Sequence, residues 1–347
     1  MHYKLAFLGF GNVARALVRL LERKRDVLQQ QYNLTFSITG IATARHGSAI
    51  HPAGLDGIRC AQAVEAGQSL TPFGEIPVSD NFDFIQKCSA DLLFENTPVN
   101  PQTGRPAVDH VHAALQAGMH VVTANKGTVV YGYHALSELA KSLGKKFLFE
   151  ATVLGGAPVF SVFRHAFPAA QLISFEGIIN STTNIILSRM ERGESFEQAV
   201  QYCQSIGIAE ADPSNDVDGW DAAIKVAALV TVLMDIPFTP LQVDRTGIRG
   251  ITPKMIEEAR QQGKRWKLVC SAQKVNGEVH ARVAPQMVPP DSPLYNMQDS
   301  TTGIAFRTDV LGDYTILEAE RPGLTPGPEP TAYGLLADFI HIARTEA

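Results

Sequence analysis

The sequence predicts an α/β protein. A doubly wound parallel sheet should occupy residues 1–152, an α+β domain 153–320, and a linker with a returning helix 321–347. Three observations carry this. Short apolar runs alternate with amphipathic stretches through the first 150 residues. The first run ends in a glycine-spaced turn. After about residue 155 the strand-like runs follow one another at hairpin spacing.

Residues 4–10 form an apolar run bounded by glycine, the pattern of a buried parallel strand. Gly9-Phe10-Gly11-Asn12-Val13-Ala14 follows and opens a helix through about Arg25. In a Rossmann-type domain this spacing is the phosphate-binding fingerprint. Gly9 makes the tight turn, Gly11 lets backbone approach a pyrophosphate, and Ala14 allows close helix–strand packing. Asn12 and Val13 supply the first backbone N–H groups. The alternative is a purely structural turn. Further strands are expected at 36–42, 91–96, 120–124 and 146–152, with helices near 81–88, 105–118 and 132–143. Ligand then belongs at the carboxyl ends of the strands.

The end of the second strand bears on the nucleotide. A site for NAD ends there in an acid that binds the ribose 2′-hydroxyl, but residues 41–48 contain none and offer Arg45, His46 and hydroxyls instead. A 2′-phosphate suits that setting, so NADP is expected, with NAD possible. Arg45 as a solvated loop residue is the competing reading. Asn96-Thr97-Pro98 and Thr123-Ala124-Asn125-Lys126 end the next strands and read as ligand-facing loops.

The most concentrated chemistry lies at 207–225, where Glu210, Asp212, Asp216, Asp218 and Asp221 precede a helix whose only charge over 222–234 is Lys225. Asp221 and Lys225, four apart, share a helical face with the acid N-terminal, as the helix dipole prefers. A surface ion pair is one reading. The other is a desolvated amine that exchanges a proton beside a carboxylate cluster binding an ammonium group.

Composition narrows the partners. The chain has 347 residues, 45% hydrophobic and 19% charged, with a net charge of −5 and no basic cluster, so nucleic acid is not expected. Cys60, Cys88, Cys203 and Cys270 are widely spaced and read as free thiols of a reducing compartment. No run is long enough for a signal peptide or membrane span, which points to the cytoplasm.

In the second domain, strands are expected at 172–180, 265–275, 278–284, 303–310 and 314–320, and helices at 181–191, 195–206, 218–234 and 252–262. Asn276-Gly277 marks a hairpin turn. Residues 321–330 read as a linker and 331–345 as a last helix. Three features carry no chemistry in this reading. Asp109, His110 and His112 belong to a solvated helix, Trp220 to core packing, and 285–293 with Met297 to a loop.

Taken together, the runs at 9–14, 121–126, 150–158, 177–184 and 207–225 resemble homoserine dehydrogenase, in the short form without a kinase or regulatory domain. The match covers most of residues 1–235 and is loose beyond, apart from Pro330-Thr331-Ala332 and the closing helix. The resemblance implies interconversion of L-homoserine and L-aspartate 4-semialdehyde with NAD(P), on the path to threonine and methionine. It implies Lys126 and Lys225 as catalytic lysines, with Asp221 orienting Lys225 or holding the substrate amine. Glu210, Asp216 and Asp221, with Asn180, Ser181 and Thr182, would line the amino-acid site. Gly9, Gly11, Asn12, Val13, Ala14, Arg45, Asn96, Thr97 and Lys126 would contact the nucleotide. A sodium or potassium ion would sit on Glu150 and the carbonyls of Val153, Gly155 and Ala157, and the chain would be a homodimer. Ser181 and Leu154 stand where the family has glycine. A related amino-acid dehydrogenase, acting for example on L-aspartate, and a non-catalytic NADP-binding sensor are the rival readings. A sensor has no use for both lysines and the acidic cluster.

Overall fold

In the computed structural model, which describes residues 1–319 and 327–345, the first apolar run forms β1 (His2–Leu8). Gly9 turns the chain at φ +86°, and a Cβ there would lie 2.5 Å from the Asn96 carbonyl, so only glycine fits. The fingerprint helix α1 (Asn12–Arg23) buries Ala14, Leu17, Val18, Leu20 and Leu21. A break at Lys24 starts a separate helix, α2 (Arg25–Tyr32), which the sequence pattern does not reveal.

β2 (Thr35–Thr43) does not run off into a loop as expected. It turns at Gly47 (φ +72°) and pairs with β3 (Gly47–Leu55) as an antiparallel hairpin. The chain continues through α3 (Gly57–Glu65), α4 (Asn81–Lys87), β4 (Leu92–Glu95), α5 (Ala107–Gln116), β5 (His120–Thr123), α6 (Lys126–Ser142) and β6 (Phe147–Leu148). The sheet order is β3-β2-β1-β4-β5-β6, parallel except at the β3 edge. A turn this short allows only a hairpin, whereas a parallel partner needs a crossover.

Two boundaries differ from expectation. α6 begins at Lys126 rather than near 132, because the Asn125 side chain accepts from Gly127 N at 2.9 Å and caps the helix early. The strand expected over 146–152 is short. After Leu148 the chain coils into a 3₁₀ turn, Glu150–Thr152, in which Thr152 Oγ1 donates to the Phe149 carbonyl at 2.8 Å.

Contacts divide the chain into two units, Met1–Gly156 with Pro328–Ala347, and Ala157–Gly327. The last helix, α13 (Glu329–Thr345), belongs to the first unit. Its buried residues Ala332, Leu335, Leu336, Phe339, Ile342 and Ala343 recur at helical spacing and join the core of β1, β4 and α1. Phe339 meets Tyr3 and Phe94 edge-on, with ring centroids 5.5 and 6.2 Å apart.

The second unit starts with the short α7 (Val159–Ser161) and a π turn, Val162–Ala166. It continues with β7 (Leu172–Ile178), α8 (Ser181–Glu191), α9 (Phe196–Ser205), α10 (Ser214–Val217), α11 (Trp220–Leu233) and β8 (Asp244–Arg245). α12 (Pro253–Gln261), β9 (Arg265–Val275), β10 (Glu278–Val288), β11 (Thr302–Thr308) and β12 (Gly312–Glu318) complete it. The sheet order is β12-β11-β7-β9-β10-β8. Asn276 and Gly277, both at positive φ, turn the β9–β10 hairpin. β10 runs through Pro285 to Val288, so the expected loop begins only at 289, and Met297 is fully buried against the sheet. Residue 320 and the expected linker through 326 lie outside the described residues.

Met297 is fixed by a buried cation. Lys267 is completely covered; its Nζ donates to Asn184 Oδ1 at 2.9 Å and to the Met297 carbonyl at 2.6 Å. Asn184 Nδ2 in turn reaches the carbonyls of Asp299 and Thr301 at 3.0 and 2.9 Å. Burial pushes the Lys267 amine down to about 8. Below that pH the amine is charged in folded and unfolded chains alike, and the burial cost is felt in full. Between there and the ordinary lysine range the unfolded chain binds the extra proton, so stability rises with pH. Across that window the stability of the wild type should rise relative to Lys267→Met by on the order of 3 kcal/mol. Chemical denaturation at pH 7 and 10 measures it, and parallel profiles for the two proteins would contradict it.

Candidate active site

In the second unit the acidic segment is sorted by its partners rather than kept as one cluster. Asn180 caps α8, its Oδ1 accepting from Thr183 N at 2.8 Å, while its Nδ2 points the other way. There it donates to Asp216 Oδ1 at 2.6 Å and Asp221 Oδ2 at 2.9 Å. Two carboxylates from α10 and α11 are thereby held on one amide, which offsets their mutual repulsion. Lys225, one turn along α11, pairs with Asp221 Oδ2 at 3.0 Å and donates to the Ile179 carbonyl at 2.7 Å. The side chains of Lys225 and Asp221 are 15% and 14% exposed, so the pair is neither a solvated surface pair nor sealed from a ligand. Thr182 is buried at the start of α8 and Ser181 is half-buried beside it.

The remaining acids go elsewhere. Asp218 pairs with Arg249. Asp212 accepts from Ser214, and those hydrogen bonds hold its carboxyl below the usual range. Glu210 is exposed on the loop that Gln204 Nε2 supports through the Glu210 and Ala211 carbonyls, at 3.1 and 3.0 Å. Trp220 is half-buried with the Arg245 guanidinium 3.6 Å above its ring, so it makes a cation–π contact rather than core packing.

In the first unit the residues expected at the nucleotide, apart from Arg45, follow the carboxyl ends of β1, β4 and β5. A Cβ added at Gly11 would meet nothing within 4 Å, and α1 begins with no side-chain cap. Together they leave an open cradle of backbone N–H groups at Asn12, Val13 and Ala14. Asn96 follows β4, its N donating to the Leu8 carbonyl at 2.8 Å, and both its side-chain polar atoms are buried without a protein partner. Such an amide fits a polar ligand group. Arg45 is exposed at the tip of the β2–β3 hairpin, where Thr43 Oγ1 donates to Gly47 O at 3.1 Å and no acid is present. Lys126 is the first residue of α6, half-buried, rather than the end of a loop.

Two groups escaped the sequence reading. Glu95, the last residue of β4, is completely buried and accepts from Thr97 and Thr123. His110 is 1% exposed, not on a solvated face as expected, with Nδ1 3.5 Å from Glu95 Oε1. The acid closing an apolar strand was the available signal. The histidine had none, because helical spacing does not say which face is covered.

Glu150 is 4% exposed in its 3₁₀ turn, and its N donates to the buried Asp338 on α13 at 2.8 Å. Val153 and Leu154 are buried after it, and the Gly155 carbonyl lies against Gly334. The four cysteines are buried free thiols, which burial pushes up to about 11 at Cys60, Cys88 and Cys203 and about 12 at Cys270. Among the described residues no helix is long and apolar enough to cross a membrane.

Residues 9–150 match the family model "Homoserine dehydrogenase, NAD binding domain", and residues 158–340 match the model "Homoserine dehydrogenase". The chain is 36% identical over 343 residues to an NAD(+)-dependent homoserine dehydrogenase of Pseudomonas canavaninivorans, covering 98% of this chain and 96% of that protein. It is 34% identical over 340 residues to a homoserine dehydrogenase of Methanocaldococcus jannaschii, covering 97% and 98%. Among solved structures it is similar to a homoserine dehydrogenase from Thiobacillus denitrificans, with a TM-score of 0.83, 27% identity, and coverage of 100% of this chain and 74% of that one.

The Asn180 arrangement has a measurable consequence. Asn180→Asp keeps the helix cap but replaces the shared donor with a third acceptor facing two carboxylates. It should cost about 1–3 kcal/mol in denaturant titration. A variant as stable as wild type would mean that Asp216 and Asp221 do not depend on this amide.

Proposed function

The chain belongs to the homoserine dehydrogenase family, and from that we propose how its residues carry the family's chemistry. The reaction is the NAD(P)-dependent interconversion of L-homoserine and L-aspartate 4-semialdehyde, in threonine and methionine biosynthesis. The nicotinamide cofactor supplies or accepts the hydride. The observation that carries the assignment of roles is the Asp216–Asn180–Asp221–Lys225 array, a lysine and two carboxylates only partly open to solvent.

In the reducing direction, negative charge grows on the aldehyde oxygen. Lys225 Nζ, directed by Asp221 and the Ile179 carbonyl, stabilises that oxygen and hands it a proton, directly or through a water; in the oxidising direction it takes the proton back. Glu210, from its exposed loop, grips the substrate ammonium, Asp216 lines the same site, and Asp221 orients Lys225 or shares that amine. Asn180, Ser181 and Thr182 contact the rest of the amino acid. Lys126 at the start of α6 polarises the reacting carbonyl.

For the nucleotide, the uncapped start of α1 suits a pyrophosphate, and Asn96 and Thr97 take the polar groups of the nicotinamide half. Arg45 on an acid-free hairpin supports NADP over NAD. The Pseudomonas canavaninivorans relative is named for NAD(+), so titration decides the point. Fluorescence titration should give tighter NADPH than NADH binding. Lys225→Ala should keep that binding while kcat falls ~10²–10⁴-fold. Near-normal turnover in this variant would remove Lys225 from the mechanism, and tighter NADH binding would remove the role of Arg45.

Two further features complete the reading. The buried Glu150 carboxylate with the carbonyls of Val153, Gly155 and Ala157 is a hard-oxygen donor set suited to sodium or potassium. One face of the second sheet, carrying Ser174, Glu176, Gln273, Arg282 and Arg307, lines an open cavity of about 810 Å³ and supports a second copy covering it. Buried free thiols suit a reducing compartment such as the cytoplasm. Light scattering should give twice the 37.6 kDa chain mass, and potassium should raise the melting temperature over choline. A monomer, or equal melting in both salts, would count against these assignments.

A further inference from the structure

A fully buried carboxylate at the carboxyl end of a central strand needs a reason, because burying it is costly unless donors surround it. Glu95 lies between β1 and β5, paired in register with Leu8 and Thr123. That is the point where the strand order reverses, the place at which ligands enter such sheets. Its Oε1 accepts from the Thr97 hydroxyl and from Thr97 N at 3.3 Å, and its Oε2 lies 3.3 Å from Thr123 Oγ1. Thr123 Oγ1 also donates to the Glu95 carbonyl at 2.8 Å and accepts from Asn125 N at 2.9 Å. Asn125 Nδ2 returns to the Thr97 carbonyl at 3.0 Å, and its Oδ1 caps α6. The circuit is closed. One carboxylate fixes both the loop carrying Asn96 and Thr97 and the start of the helix carrying Lys126.

Behind it stands the buried His110, whose Nε2 meets Asn81 Nδ2 at 3.2 Å under the Phe82 ring. The Glu95 side chain is tied to Thr97 and Thr123, and through Thr123 to Asn125, so it acts through those groups.

We propose that Glu95 is a positioning residue for the nicotinamide half of the cofactor site, setting the Asn96–Thr97 loop and Lys126 through Thr97, Thr123 and Asn125. This rests on the reading that the first unit binds NAD(P). Hydrogen-bond geometry is the operative property. A glutamine at 95 can accept from Thr97 with its oxygen and donate to the Thr123 hydroxyl, whose proton, shared in the wild type between the Glu95 carboxylate and carbonyl, then goes to the carbonyl alone. Leucine can do neither. Thr123→Val breaks the circuit at its centre with little change of volume.

The test compares the full-length wild type with Glu95→Gln, Glu95→Leu and Thr123→Val, measuring NADPH binding by fluorescence, kcat, KM for homoserine and melting temperature. Glu95→Leu and Thr123→Val should each weaken NADPH binding and lower kcat roughly tenfold or more, leaving KM for homoserine within about twofold. Glu95→Gln should stay within roughly threefold of wild type on every reading. If Glu95→Leu does not fold, Thr123→Val decides the matter alone. Normal NADPH affinity and kcat with only a lower melting temperature, or a glutamine variant as impaired as leucine, would overturn the proposal. A wild type that binds neither NADPH nor NADH overturns the nucleotide reading on which it stands, and that outcome is distinct from the others.

Discussion

Like charges cannot be drawn out of water side by side unless a donor stands between them. Asn180 is that donor for Asp216 and Asp221, and the rest of the acidic segment is arranged around its choice. With Asp221 held on the amide, its second interaction falls on Lys225, and the Ile179 carbonyl fixes the amine from the other side. The Lys225 amine is thus oriented by protein groups alone, the preorganisation that the proposed proton transfer would use. Asp218 and Asp212, a few residues away, are drawn off by Arg249 and Ser214 and leave the array uncrowded.

The first unit uses the complementary device. There a single acceptor, Glu95, gathers donors from two strand ends, where in the second unit a single donor gathers two acceptors. Both devices sit where a strand hands over to a loop or helix: Glu95 at the end of β4, and Asn180 between β7 and α8. Asn125 and Asn180 each cap the helix that follows, so the start of the helix and the aim of the site are fixed by the same side chain. A third buried charge, Lys267, is fully covered and anchors the Met297 carbonyl at the expense of its own desolvation.

Much of the architecture was legible because it follows local rules. Glycine at 9 answers a positive φ and a backbone contact that no side chain survives, and the Asn276-Gly277 pair dictates a tight hairpin. The helices of the second unit begin and end close to where apolar periodicity and capping residues put them. Where local rules compete, the structure departs from the sequence pattern. Residues 43–47 form a hairpin rather than a strand end, α6 starts early under the Asn125 cap, and a proline at 285 did not stop β10, an edge-paired strand at that point.

By itself, the sequence determined the alternation of elements, the phosphate-binding turn, and the residue types and spacings that mark the family. These depend on neighbours within a few positions. Only the tertiary structure decided which of five acids share a donor, that His110 is buried against Glu95, and that the last helix completes the core of the first unit. Those outcomes are set by groups that meet from distant parts of the chain, such as Asn180 with Asp221 or Glu150 with Asp338. No periodicity records which of them will be desolvated together.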